Sequence, residues 1–211
     1  ARLYYFRTKS MRRKFVSNIS FLLFANLLVK PLWIFGIDRS VQVQAGAVEY
    51  GNYFAATNVA YLLSILLDLG INNFTNRRVS RNIKRAPEFL HNLLPVKFVL
   101  AILYLVATLA FSFISGIRGW LLWLVLLSAL TMMMSSFVLH FRAYIAALHR
   151  FRTDSYLSVT DKLIATILVG SFLFFGTVEL SSTLIVLFSA AQLLALTVTA
   201  IIAYIVVSKN H

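Results

Sequence analysis

Residues 120–141, WLLWLVLLSALTMMMSSFVLHF, and residues 182–207, STLIVLFSAAQLLALTVTAIIAYIVV, are the two stretches that decide the fold. Neither contains an aspartate, glutamate, lysine or arginine. The hydrocarbon core of a bilayer is about 30 Å thick and requires about 20 helical residues to cross it. Each stretch is therefore predicted to cross a membrane as one helix.

Four more stretches are long and apolar enough to do the same. The six predicted spans are residues 15–36, 51–71, 94–115, 120–141, 157–177 and 182–207. The fold class predicted from them is all-α integral membrane, a six-helix bundle that forms one membrane domain over residues 1–211. The composition agrees, because 60% of the residues are hydrophobic and only 13% are charged, against about 25% charged in an average soluble domain.

The charged residues alternate from one connection to the next. Of the 20 lysines and arginines, sixteen fall on one predicted side and two on the other, while Lys30 and Lys97 lie inside spans. Cytoplasmic loops collect basic residues, so both termini are predicted to be cytoplasmic, in a bacterial inner membrane. The longest polar stretch, Asn72 to Asn92, is predicted to be a loop on that side.

The net charge of +13 would suggest nucleic acid in a soluble protein. Here its placement indicates anionic membrane lipids as the partner instead, and no nucleic acid. The chain has no cysteine and no phosphate-binding Gly-rich loop, and its four histidines lack metal-ligand spacing. We therefore expect no enzyme activity, no cofactor and no metal site.

Lys30 is the first candidate for a functional residue, because it lies well inside the first predicted span. At 100° per residue, Asn26, Lys30 and Trp33 share one helix face, and Pro31 should bend the helix beside them. A charge at membrane depth usually faces a cavity or a partner. Lys30 either lines a substrate cavity with Asn26 or extends toward the headgroups.

The second predicted span carries a polar stripe. Five polar side chains project within about 60° of arc, those of Tyr50, Thr57, Tyr61, Ser64 and Asp68. Facing lipid, these polar groups would find no polar partners. They either line a wet cavity or form hydrogen bonds between helices. Asp68 could also pair with a basic residue of the adjacent loop.

Arg142 and Asp161 are predicted to form a structural ion pair at the basic side. Arg142 ends the fourth span, and Asp161 lies near the start of the fifth, where the helix dipole favours a carboxylate.

Several of these motifs occur together in a known order. KPLWIFG at residues 30–36 is followed by EYG at 49–51, by LLDLGI at 66–71 and by the arginine-rich loop, and the link over residues 141–163 completes the series. This order resembles the polysaccharide biosynthesis proteins, the oligosaccharide flippases of the multidrug/oligosaccharidyl-lipid/polysaccharide exporter superfamily. The resemblance covers most of the chain.

The resemblance implies a fold and a function. Members have twelve or fourteen helices in two six-helix bundles, a MATE-like arrangement, and move lipid-linked oligosaccharides to the outer leaflet by alternating access. The chain would then be the N-terminal bundle, which requires a C-terminal bundle or a second copy to close the cavity. We expect the native protein to continue past residue 211.

Two other functions stay open at this point. A drug or cation antiporter of the same superfamily would need intramembrane carboxylates, for which Asp68 is the candidate. A membrane scaffold for glycan assembly that does not transport would be favoured if Lys30 and the polar stripe faced lipid.

The charge asymmetry predicts the topology. Reporter fusions placed after Gly46, Arg118 and Glu179 should report the outside, and fusions after Lys84 and Arg152 should report the cytoplasm. Paired alkaline phosphatase and green fluorescent protein fusions measure this directly. A cytoplasmic signal after Arg118 would contradict the six-span topology.

Overall fold

The computed structural model describes residues 20, 24, 26–175 and 181–209, and they form helices without a strand. A helical segment extends from Asn26 through a π-helix at Leu32–Asp38 and continues directly into α1. Short 3₁₀-helices lie at Ser64–Leu67 and Ile83–Arg85. The α-helices are α1 (Arg39–Leu62), α2 (Ile71–Arg81), α3 (Ala86–Ile114), α4 (Trp120–Ala147), α5 (Phe151–Phe175) and α6 (Ser181–Ser208).

Four of the described helical segments are long and apolar enough to cross a membrane, or five if the bent pair Asn26–Leu62 and Ser64–Arg81 counts as one span. The four are Ile83–Ile114, Trp120–Ala147, Phe151–Phe174 and Ser181–Ser208. They contain the described parts of the last four predicted spans, apart from one residue at the end of the third and one at the end of the fifth. The protein is therefore a multi-pass, all-helical membrane protein.

The segment Asn26–Leu62 doubles back at Gly46. Gly46 has φ 79° and ψ 168°, which breaks the helix. The rings of Trp33 and Tyr53 both pack on Phe188, with centroids 5.7 and 5.3 Å from it. In one straight helix, twenty residues would separate those rings by about 30 Å. The two halves therefore form a helical hairpin, and the predicted loop at residues 37–50 is helical on both sides of Gly46.

The second predicted span does not continue to residue 71. Helix α1 ends at Leu62, and Leu69 and Gly70 have φ values of 42° and 87°, which turn the chain before α2. The predicted loop from Asn72 to Asn92 is also wrong, because it contains α2 and the start of α3. Thr75 and Val79 lie one helical turn apart, and both are buried where α2 packs on α4. The packing of this helix face on α4 favours a helix in an otherwise polar stretch.

Helix α4 is the centre of the bundle, because it contacts each of the other five α-helices. Two apolar clusters surround it. One packs around Leu124 and Val125 with the hairpin and α6, and the other packs around Phe141 and Tyr144 with α2, α3 and the end of α6.

Gly46→Ala should destabilise the protein by about 1–3 kcal/mol, because the backbone at Gly46 occupies a region that is open essentially to glycine alone. No atom lies within 4 Å of the added Cβ, so the cost is purely conformational. Thermal unfolding in detergent measures it.

Gly51→Ala is the matched control. Gly51 lies inside α1 and a Cβ there also meets nothing within 4 Å, so alanine should be neutral or stabilise by about 0.5–1 kcal/mol. Equal unfolding temperatures for the two variants would contradict the hairpin turn at Gly46.

Candidate functional site

A polar cleft of about 280 Å³ opens between the segment that carries Lys30 and helices α4, α5 and α6. We call it the cationic cleft and define it by its polar lining. The polar lining residues are Lys30, Thr131, Ser135, Arg142, Ser158, Asp161, Lys162 and Gln192. Three of these side chains are basic and one is acidic.

The cleft lies deep in the helical bundle. Asp161 and Lys162 are ten and eleven residues into α5, which places them about 15 Å along its axis. Charged side chains inside a membrane-spanning helix are costly in lipid and face a cavity or one another. Their position on the cleft satisfies this requirement.

The charges in the cleft differ in how they are neutralised. Arg142 Nε donates to Asp154 Oδ1 at 2.6 Å, and both side chains are mostly buried. Lys162 Nζ lies 4.0 Å from Asp161 Oδ2 and 4.9 Å from the centre of the Trp33 ring, a cation–π distance. Lys30 forms no ion pair within the part of the chain that the structure describes. Its ammonium is the cleft charge left for a ligand.

Asn26 fixes the helix that presents Lys30. Its Nδ2 donates to Ser158 Oγ at 3.0 Å, and Ser158 Oγ donates to the carbonyl of Ser155 at 2.8 Å. About two turns further on, Trp33 stacks on Phe188 of α6. Lys30 therefore projects from a helix that α5 and α6 hold at two levels, one on each side of it.

Neutral polar groups adjoin the cationic cleft. A cavity of about 50 Å³ contains Tyr53, Thr57 and Ser128, and it shares Gln192 with the cleft. Gln192 Nε2 donates to Tyr53 Oη at 2.9 Å, and the hydroxyls of Thr57 and Ser128 are 3.3 Å apart. Of the predicted stripe, Thr57 is thus the residue that lies next to the cleft.

The other members of the stripe do not line the cleft. Tyr50 Oη donates to both carboxylate oxygens of Asp38 at 3.0 Å, which ties the two halves of the hairpin together. Tyr61 is 67% exposed, and the hydroxyl of Ser64 donates to its carbonyl. Asp68 contacts Lys97 of α3 instead. The α-helix ends at Leu62, so the rotation of 100° per residue no longer applies beyond it. Ser64 and Asp68 therefore do not share the helix face that the sequence predicted for them.

The predicted pair between Arg142 and Asp161 is replaced by the pair between Arg142 and Asp154. The reason is the start of α5, which begins at Phe151 and not at residue 157. This puts Asp154 in the first turn, where the helix dipole favours it, and Asp161 more than a turn deeper. Both Arg142 and Asp161 still line the cleft.

Sequence reasoning passed over Lys162, Gln192 and Lys97 as candidates for function. Lys97 and Gln192 each interrupt an otherwise apolar span, and this is a signal that could have identified them. Lys162 is harder to find, because its place beside Trp33 depends on how the first helix packs against α5.

The long apolar helices define a multi-pass membrane protein, and a positively charged cleft between them fits a transporter-like class. The sequence profile of the polysaccharide biosynthesis protein family matches residues 15–211, and the chain belongs to that family. The resemblance seen in the motifs is thereby confirmed. No curated protein and no solved structure matches the chain.

Asp154→Asn should cost about 1–3 kcal/mol of stability, because the mostly buried Arg142 loses a charge-assisted partner. Glu88→Gln is the matched control. Arg85 and Glu88 also form an ion pair through Nε, at 2.8 Å, but their side chains are 63% and 59% exposed. This variant should change stability by less than about 1 kcal/mol. Unfolding temperatures in detergent that rank the two variants in the opposite order would refute this assignment.

Proposed function

We propose that the chain is one half of a flippase that moves a lipid-linked oligosaccharide across the bacterial inner membrane by alternating access. The observation that supports it best is the cationic cleft, in which Lys30 has no ion pair within the described residues and Lys162 and Arg142 lie nearby. Membership of the polysaccharide biosynthesis protein family supplies the glycan context.

The proposed architecture has six crossings with both termini in the cytoplasm. The hairpin at Gly46 supplies two of them, one on each side of the turn, and helices α3 to α6 supply four. The bundle corresponds to one half of a MATE-like transporter. The cleft is open on one side, and a C-terminal bundle or a second copy would provide the missing wall.

The lining of the cleft suits both parts of such a substrate. A diphosphate carries negative charge and binds ammonium and guanidinium groups through charge-assisted hydrogen bonds. Lys30, Lys162 and Arg142 offer those donors. The sugar hydroxyls find amide and hydroxyl partners in Gln192, Ser135 and Thr131. The lipid chain stays in the surrounding bilayer, so the cleft has to hold the polar headgroup only.

The same contacts weigh against the two other functions. A cation antiporter needs a carboxylate that is available to its ion, but Asp68 is engaged by Lys97 and Asp161 lies next to Lys162. A scaffold that does not transport has no use for a lysine that lines a polar cleft and forms no ion pair among the described residues. An anionic substrate accounts for the excess of basic groups.

In the full-length protein, Lys30→Ala should lower glycan export at least about tenfold, because one charge-assisted contact of about 1.5–3 kcal/mol is lost. Lys30→Arg should keep part of the activity, since the charge persists with another geometry. Lys30→Gln keeps the polarity and much of the length without the charge. Surface display of the glycan measures export, and the amount in the membrane fraction reports insertion.

Lys209→Ala serves as the control, because Lys209 is an exposed lysine just past the end of α6. It should export normally. Normal export by Lys30→Ala and Lys30→Gln would show that Lys30 is a packing or headgroup-directed residue and would remove the basis of the proposal.

A further inference from the structure

Lys97 is a buried charge that the cationic cleft does not use. It lies on α3, eleven residues after the helix begins, and its side chain is 1% exposed. Lysine is almost never fully buried without a partner. The partners of Lys97 therefore show what the site is built to hold.

The ammonium of Lys97 lies against oxygen atoms at the break between α1 and α2. Its Nζ donates to the carbonyl oxygen of Leu67 at 2.7 Å and lies 3.4 Å from Asp68 Oδ1. The hydroxyl of Ser136 on α4 donates to the same carbonyl at 3.3 Å. A carbonyl and a carboxylate thus meet at the ammonium, and a hydroxyl shares the carbonyl.

The broken helix is what makes these oxygens available. The 3₁₀-helix ends at Leu67, and Leu69 and Gly70 turn the chain with positive φ before α2 begins. Asp68 Oδ1 also accepts the backbone N–H of Asn72 at 3.1 Å, which orients the carboxylate. In secondary transporters, the carbonyl ends of discontinuous helices are where free coupling cations bind.

We propose that Lys97 is a tethered cation that occupies a monovalent cation site at the break between α1 and α2. Its ammonium takes the place that a sodium ion would otherwise have between the carbonyl of Leu67 and the carboxylate of Asp68, beside the hydroxyl that shares this carbonyl. Without the lysine, these hard oxygen ligands form a site that binds sodium. The side chain of Asp68 is 36% exposed, which gives a small ion a path to it. The proposal does not depend on the transported substrate.

The test uses Lys97→Ala in the intact protein, purified in detergent, with sodium chloride or choline chloride at equal ionic strength. The variant should unfold at a lower temperature than the wild type in choline. Sodium should raise that temperature by about 3–6 °C, the shift expected when an ion is present at about ten times its dissociation constant. The wild type should show no difference between the two salts, because the lysine already fills the site.

The double variant Lys97→Ala with Asp68→Asn is the matched control. It has the same space but lacks the carboxylate, so sodium and choline should give the same unfolding temperature. Lys97→Arg keeps a cation in the site and should also show no response to sodium.

Two results would overturn the proposal: no sodium-specific shift in Lys97→Ala, or an equal shift in the double variant. Recovery of Lys97→Ala only from membranes solubilised in sodium would support it. Recovery in neither salt would count against it, because sodium would then be unable to replace the ammonium. Glycan export is not needed for any of these readings, so they stand apart from the flippase proposal.

Discussion

The structure depends on one constraint: a backbone group that leaves the helical pattern inside a membrane needs another partner. The chain meets this constraint at two irregular stretches near its start. After Pro31, which has no N–H, seven residues form a π-helix, and the N–H of Arg39 reaches back to the carbonyl of Ile34. At the break after α1, the carbonyl of Leu67 takes its partners from α3 and α4, through Lys97 and Ser136. The break at Leu67 therefore fixes the positions of two polar side chains, those of Lys97 and Ser136.

The two lysines inside the bundle illustrate opposite solutions to the cost of a deep charge. Lys97 is enclosed, with a carbonyl and a carboxylate at its ammonium, and it joins α3 to the break between α1 and α2. Lys30 faces an open cleft and has no ion pair among the described residues. A buried pair contributes structure but little net binding capacity, because its charges already neutralise each other. The open lysine is the one that can attract an anion, and this difference in environment is the basis for assigning them different roles.

The sequence predicted the long apolar helices well and the first third of the chain poorly. Continuous apolar runs such as residues 182–207 need only length to be recognised, and α6 matches that run to within one residue at each end. The hairpin at Gly46 and the end of α1 at Leu62 are set by tertiary packing on Phe188 and α4. Such packing leaves no periodic pattern in the sequence. The site followed the same pattern. Lys30 was proposed from its depth in a predicted span and Asn26 from the helix face that it shares with Lys30, whereas Lys162 and Gln192 join the cleft through contacts between helices distant in sequence.

The π-helix and the cleft lysine, Lys30, occupy the same stretch of the first helix. Lys30 and Pro31 immediately precede the π-helix, and Trp33 within it contacts both Phe188 and Lys162. A π-helical turn has poorer packing than an α-helix and often occurs at functional positions. Conversion of such a turn to α-helix rotates the residues on one side of it relative to those on the other. Lys30 would then turn relative to α5 while Asp38 and Tyr50 keep the hairpin closed. Such a conversion is a local change that moves the Lys30 ammonium without unfolding the helix that carries it.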